Sequence, residues 1–212
     1  MVVIDSKDIE TILDRFSTFP DVELSFLDNG YMDVTATDNF VLYTASVPVE
    51  MGKHDVNNKY FVPLSVLKDL GKVELKSFSS STSPIPNWES ILDGGTQTES
   101  RIDAFPFREL LSTLKGQSKQ KQDIVHLELV RPNLAGEIVD SKVKAELKGI
   151  ASFPHRADYV LSDLYKLVGF SKGVKSLLLE FDIYHNGCSI FSYWIGEIEF
   201  KFCLYPLYPK SV

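Results

Sequence analysis

The chain has 212 residues, 44% apolar and 12% aromatic, a composition that argues against disorder and can furnish a core for one large domain or two of about 100 residues. It carries a net charge of −7, no run of 18 apolar residues and no signal-like N-terminus, so neither a membrane span nor secretion is expected. The charge is unevenly shared: residues 1–100 hold 7 Lys/Arg against 16 Asp/Glu, a balance of −9, and residues 101–212 hold 15 against 13, a balance of +2.

The first predicted element is a short strand, Val2–Ile4. In "DSKDIETILDRFSTF", Asp5 or Ser6 can cap a helix whose Ile9, Ile12, Leu13 and Phe16 recur at helical spacing. "VELSFLDNGYMDVTATDNFVLYTASVPVE" reads as a three-strand meander over residues 22–49. Asn29-Gly30 makes its first hairpin turn, and Asp38-Asn39 the second. After the loop "EMGKHDVNNK" comes "FVPLSVLKDLGKVEL", a short helix followed by a strand at Val73–Phe78. The next stretch, "SSSTSPIPNWESILDGGTQTE", is rich in Ser, Thr, Pro and Gly and has the composition of a linker, which puts a domain boundary near residue 95.

The second half follows the same order. "ESRIDA" reads as a strand and "FPFRELLSTLKGQS" as a helix with Phe107, Leu110, Leu111 and Leu114 on one face. "DIVHLELV", "AGEIVDS" and "KVKAELKGIA" read as three strands. Within "RADYVLSDLYKLVGFSKGVKSLLLEF" the V-L-x-D-L pentad of residues 66–70 recurs at residues 160–164, again on a short helix followed by a Gly, a Lys and a strand. "SLLLEFDIY", "SIFSYW" and "IEFKFCLYPL" complete the chain as strands, the first two joined at His185-Asn186-Gly187. Strand, helix, three strands, helix and strands, occurring twice, predicts an α+β protein of two repeated domains with antiparallel sheets and two helices each. Their bounds are 1–94, trimmed at its C-terminal strands, and 95–212.

This plan resembles the domain of DNA sliding clamps, in particular the bacterial β clamp and its two-domain phage counterparts. "DNGYMDVTATDNFVLYTASVPV" resembles the clamp hairpin that leads into a Thr-Asp turn and a long returning strand. "NKYFVPLSVLKDLGK" resembles the strand that enters a helix, "IPNWESIL" the connector between clamp domains, and "IEFKFCLYPLY" the final strand with its apolar-Pro-apolar end. The resemblance covers almost the whole chain and lies in the order and spacing of these pieces. It implies a DNA polymerase processivity factor that encircles duplex DNA and tethers a polymerase, with a clamp loader as a further partner. Bacterial β clamps have three domains. Two-domain chains would need three copies, a homotrimer, to make a six-domain ring. The setting implied is the cytoplasm of a bacterial or phage-infected cell, and the only cysteines, Cys188 and Cys203, imply no disulfide framework that would argue otherwise.

Two sets of site residues follow from the resemblance. Helices lining a clamp face DNA phosphates without reading sequence, which requires Lys and Arg. In the second half these are Arg108, Lys115, Lys119, Lys121, Arg156, Lys166 and Lys172, and "KGQSKQKQ" is the most basic stretch of the chain. The plain alternative for these residues is a solvated helix end with Lys near the C-terminus. The first helix opposes the reading: Asp5, Asp8, Glu10 and Asp14 outnumber Lys7 and Arg15. A partner-peptide groove maps to Thr37, Asp38 and Phe40 on one side and Leu204, Tyr205, Pro206 and Leu207 on the other, although Leu204 and Leu207 equally suit the core end of a last strand.

No catalytic, metal or cofactor site is expected. His54, His126, His155 and His185 lack ligand spacing, and no phosphate loop, GxSxG or HExxH occurs. The competing function is a non-catalytic interaction protein with a clamp-like fold that does not encircle DNA, favoured by the acidic first helix and the trimmed first sheet.

Overall fold

The structure, a computed structural model, describes residues 2–38, 41–52, 56–70, 75, 78, 85, 98–120, 122–130, 133–139, 144–148, 155–181, 188–205 and 207. The chain divides into two units, Met1–Trp88 with Trp194–Lys201, and Glu89–Tyr193 with Phe202–Val212. The boundary predicted near residue 95 and the turn at 185–187 lie outside the described residues.

The first unit opens with β1 (Val2–Val3) and α1 (Ser6–Phe16). Asp5 starts the helix: its carboxylate accepts from the Lys7 N–H at 2.7 Å, satisfying one of the donors a helix N-terminus leaves open. Ile12 and Phe16 are buried from the predicted face, while Ile9 and Leu13 are half-buried. Strands β2 (Asp21–Phe26), β3 (Tyr31–Asp38), β4 (Val41–Pro48), β5 (Glu50–Met51) and β6 (Lys59–Pro63) follow, then a 3-10 helix at Leu64–Asp69. The Asn29-Gly30 turn forms as the sequence predicts. Gly30 has φ +84°, a conformation costly for side chains with a Cβ, and the Asn29 side chain accepts from the Tyr31 N–H at 3.1 Å. β2, β3 and β4 form an antiparallel meander, and β6 returns beside β2, giving the order β6-β2-β3-β4. That is a Greek-key order, the fourth long strand lying beside the first.

The second unit repeats this arrangement with β7 (Thr98–Asp103), α2 (Ala104–Gln117), β8 (Ile124–Val130), β9 (Asn133–Ile138), β10 (Lys144–Lys148), β11 (His155–Val160) and α3 (Leu161–Phe170). β12 (Ser176–Phe181), β13 (Ser189–Ile195) and β14 (Ile198–Leu204) complete the chain, residues 194–201 of the last two belonging to the first unit. The sheet order β10-β9-β8-β11 again sets the fourth strand beside the first. α2 packs on α3 and on this sheet, where Gly136 keeps β9 clear of the helix: a Cβ there would sit 3.0 Å from Leu114 Cδ1. Aromatic rings close the core, with Phe107 stacked on Phe191 at 5.8 Å and Phe170 edge-on to Tyr193 at 5.6 Å.

The sequence predicts three strands before the second helix, and the structure has four. The fourth is "HRADYV", β11, with Ala157 and Tyr159 buried opposite Leu127 and Val125 of β8. In the first unit Tyr60 and Val62 of β6 are buried opposite Leu24 and Val22 of β2, the same pair of rungs. Both helices begin with the same bond, Leu64 N–H to Pro20 O and Leu161 N–H to Asp123 O, each 2.8 Å. These equivalences place Leu64-Ser65-Val66-Leu67 on Leu161-Ser162-Asp163-Leu164. The V-L-x-D-L pentads are therefore three residues out of register, a slip a helix tolerates because residues three apart share a face. Where a strand is predicted over 73–78, the two residues described, Leu75 and Phe78, are joined by a turn bond of 2.9 Å from the Phe78 N–H to the Leu75 carbonyl.

Candidate functional site

The candidate cations fall on α2, on the loop after it and around α3. Asp103 caps α2, accepting from the Phe105 N–H at 3.2 Å, and Phe107, Leu110, Leu111 and Leu114 turn inward as predicted. Arg108 points to the end of α3: its Nη1 donates to Ser171 O at 2.7 Å and to Val174 O at 3.0 Å. It thereby adds a charged donor to carbonyls of the helix C-terminus and its turn, where Ser171 O also accepts from the Val174 N–H at 3.1 Å. Lys115 is half-buried in the last turn of α2, and Lys119 is exposed just beyond it. Lys121 lies outside the described residues.

Asp123 organises the basic loop. Its Oδ2 accepts from the Lys119 and Gln120 N–H groups at 3.0 and 3.2 Å. The Ser118 side chain, then these backbone donors, hold its carboxyl below the ordinary carboxylate value, so it is ionised at neutral pH beneath the lysines. Around α3, Lys166 Nζ donates to Asp163 at 2.9 Å, one helical turn away, and Lys172 is exposed in the following turn. Arg156 sits on β11 opposite Glu128, its side chain outside the described residues. The cations thus gather at the two ends of α2, Arg108 and Lys172 at one and Lys115 and Lys119 at the other. The exposed stripe between them carries Glu109, Ser112 and Thr113.

In the first unit the exposed side of α1 carries Asp5, Lys7, Glu10 and Asp14. Burial, then the Asp5 and Glu197 charges, raise the Asp8 carboxyl above its ordinary value. A raised carboxyl binds its proton more tightly folded than unfolded, so its contribution to stability is present at low pH and is lost as pH rises from 3.8 through the folded value. Asp8→Asn is therefore expected to raise the thermal midpoint at pH 7. Screening limits the gain to about a few tenths of a kcal/mol. A thermal series from pH 3 to 7 checks it, and an unchanged pH profile in the variant would refute the assignment.

The partner-groove residues fall in both units. In the first, Thr37 Oγ1 donates to Val41 O at 3.0 Å, fixing the β3–β4 end where Asp38 pairs with Val41; Phe40 lies outside the described residues. In the second, Leu204 is buried, Tyr205 and Leu207 are exposed, and Pro206 lies outside the described residues. The Leu207 N–H donates to Asp158 O at 2.7 Å, seating the tail on the outer edge of β11, and the Asp158 carboxylate meets His126 Nδ1 at 2.6 Å.

Among the described residues three exposed aromatics stand outside both predicted sets, Phe105 (60% exposed), Trp194 (53%) and Tyr31 (37%). The helical period that turns Phe107 inward puts Phe105, two positions earlier, outward, so "FPF" held the signal. Among the described residues no group of three His, Cys, Asp or Glu side chains is placed to hold a metal ion, and no helix is long and apolar enough to cross a membrane.

No protein-family model matches the chain, and no curated protein matches it in sequence. Solved structures do match. The sliding clamp (DNA polymerase III subunit beta) of Pseudomonas aeruginosa superposes with a TM-score of 0.74 at 15% identity, covering 99% of this chain and 65% of the clamp. The C. crescentus beta sliding clamp gives 0.72 at 13%, covering 99% and 65%. The H. pylori beta clamp gives 0.68 at 11%, covering 97% and 64%. The chain therefore has the α+β fold of the beta sliding clamps and spans about 65% of their length.

Proposed function

We propose that this chain is a non-catalytic processivity factor of the sliding-clamp type, which encircles duplex DNA and tethers a polymerase through a peptide groove. The observation that carries the reading is the repeat itself. One Greek-key sheet, entered from a helix and leaving into a helix through the same backbone bond, occurs twice in a chain whose fold is that of the beta sliding clamps. The mechanism is topological. A closed ring cannot leave a duplex sideways, so its phosphate contacts can stay weak enough to permit sliding. Lys115, Lys119 and Lys121 supply such contacts in this reading. The client is received by the groove residues that the resemblance assigns, and the exposure of Tyr205 and Leu207 supports a tail that partners can reach. A clamp loader would open the ring.

Light scattering over a concentration range tests the ring. The expected species has three times the mass of the 23.9 kDa chain, since a heterologous head-to-tail contact that closes removes the exposed sheet edges of each copy. A dimer or a persistent monomer, in the presence of duplex DNA as well as without it, would sink the trimeric ring.

A second reading is favoured by a specific observation. The exposed side of α1 is acidic and Lys166 is tied to Asp163, which suits an interaction protein that uses the fold without encircling DNA. A protein of that kind would show no salt-sensitive binding to duplex at any oligomeric state.

A further inference from the structure

We propose that Phe105 is a stacking platform for an unpaired nucleic-acid base, with Arg101, Lys172 and Lys175 as the phosphate contacts around it. Phe105 is the most exposed of the large apolar side chains described, at 60%. The backbone around it is fixed. Its N–H is held by the Asp103 cap, and the neighbouring Ala104 N–H donates to Lys175 O at 2.9 Å, which locks the start of α2 against the start of β12. One turn along, Arg108 reaches the Ser171 and Val174 carbonyls and so holds the turn bearing Lys172 beside the same helix end. Lys172 and Lys175 are exposed there, and Arg101, on the strand that pairs with β12 at Leu178, is exposed too.

The chemistry favours a base over a protein segment. A protein docking site presents contiguous apolar surface, whereas the exposed residues described in this region include the cations Arg101, Lys172 and Lys175. Asp103, the adjacent acid, spends a carboxylate oxygen on the helix cap, and Glu109 stands a turn further along α2. A ring beside positive charges is how single-stranded nucleic acid is held without sequence preference, since every base offers a π-face and every nucleotide a phosphate. The proposal takes its partner class from the DNA reading above and adds a distinct contact, made to unpaired strand.

The test uses the full chain and a fluorescent oligo-dT at low salt, with a hairpin duplex of matched length as the comparison. Phe105→Ala is expected to weaken oligo-dT binding about tenfold and to leave the duplex affinity unchanged. Phe105→Leu, which keeps apolar volume but no ring, is expected to behave like Ala. Phe105→Trp is expected to retain affinity, with indole emission quenched by the oligonucleotide. Lys172→Glu with Lys175→Glu is expected to weaken binding and to flatten its salt dependence. Equal binding by the wild type and the Ala variant, equal losses on oligo-dT and duplex, full rescue by Leu, or no oligo-dT binding at low salt would each overturn the platform. A ring-dependent oligo-dT signal alongside failed duplex binding would instead count against the encircling clamp and leave this site standing.

Discussion

Reversing Lys115, Lys119 and Lys121 to glutamate is expected to lower duplex affinity on the order of tenfold or more and to abolish any gain in polymerase processivity. The choice of these three rests on what the other cations already do. Arg108 is bound to two carbonyls and Lys166 to Asp163, so replacing either changes the protein before it changes a phosphate contact. Lys119 is exposed, and Lys115 is half-buried at the end of a helix with its stem against the protein. Removing one lysine–phosphate interaction should reduce the slope of log affinity against log salt by about one unit, and the loss of affinity should be the same on any duplex sequence. Glutamate also places new negative charge over Asp123, which is already ionised and holds the loop by the Lys119 and Gln120 N–H groups. A parallel set of glutamine substitutions separates the two effects. If affinity falls only with glutamate and the salt slope is unchanged with glutamine, the loop has been disrupted and no phosphate interaction has been removed. If both sets keep processivity, the DNA-facing role assigned to this helix end is wrong.

Much of the fold is legible in the sequence because local signals mark it. Asn29-Gly30 specifies a hairpin on its own, Asp5 announces the first helix, and the spacing of Phe107, Leu110, Leu111 and Leu114 gives the buried face of α2. β11 is hidden for a physical reason. It runs into α3 with no proline, glycine or capping side chain, Val160 standing at the cap position without a side-chain bond, so no local signal divides strand from helix. In the first unit Pro63 marks the same junction. The alternation of Glu23, Ser25, Asp33, Thr35 and Thr44 with apolar neighbours predicts a solvent face, yet all five are buried. Burial of a second sheet face is a tertiary fact that a strand's own pattern does not carry. The charges are harder still. Arg108 reads as a DNA-facing cation, but its acceptors are 63 and 66 residues away, beyond the reach of any local pattern. The residue patterns supply the order of elements, and only the folded chain separates a cation at work inside the protein from one at its surface.

Leu67→Ala and Leu164→Ala are each expected to lower stability by about 2–5 kcal/mol, and Leu70→Ala by about 1 kcal/mol or less. Leu67 is 1% exposed and Leu164 is fully buried, each at the fourth position of a helix entered from a Greek-key return strand, whereas Leu70 is half-buried just past the helix end. The pentad match makes the opposite pairing, setting Leu70 against Leu164 and Leu67 against Leu161. The two registers therefore differ in which leucine of the first unit anchors the helix to its sheet. Removing the anchor leaves a cavity that the surrounding strands cannot fill, while removing a half-buried side chain gives up only part of its transfer energy. Amide exchange reads each variant in its own unit, which avoids treating the two units as one cooperative transition. Loss of protection across β2 and β6 in Leu67→Ala, matched by loss across β8 and β11 in Leu164→Ala, is the expected result. A large effect from Leu70→Ala with a small one from Leu67→Ala would restore the pentad register. It would also mean that the shared backbone bonds at Leu64 and Leu161 do not mark equivalent positions, and the duplication on which the clamp reading rests would lose its strongest geometric support.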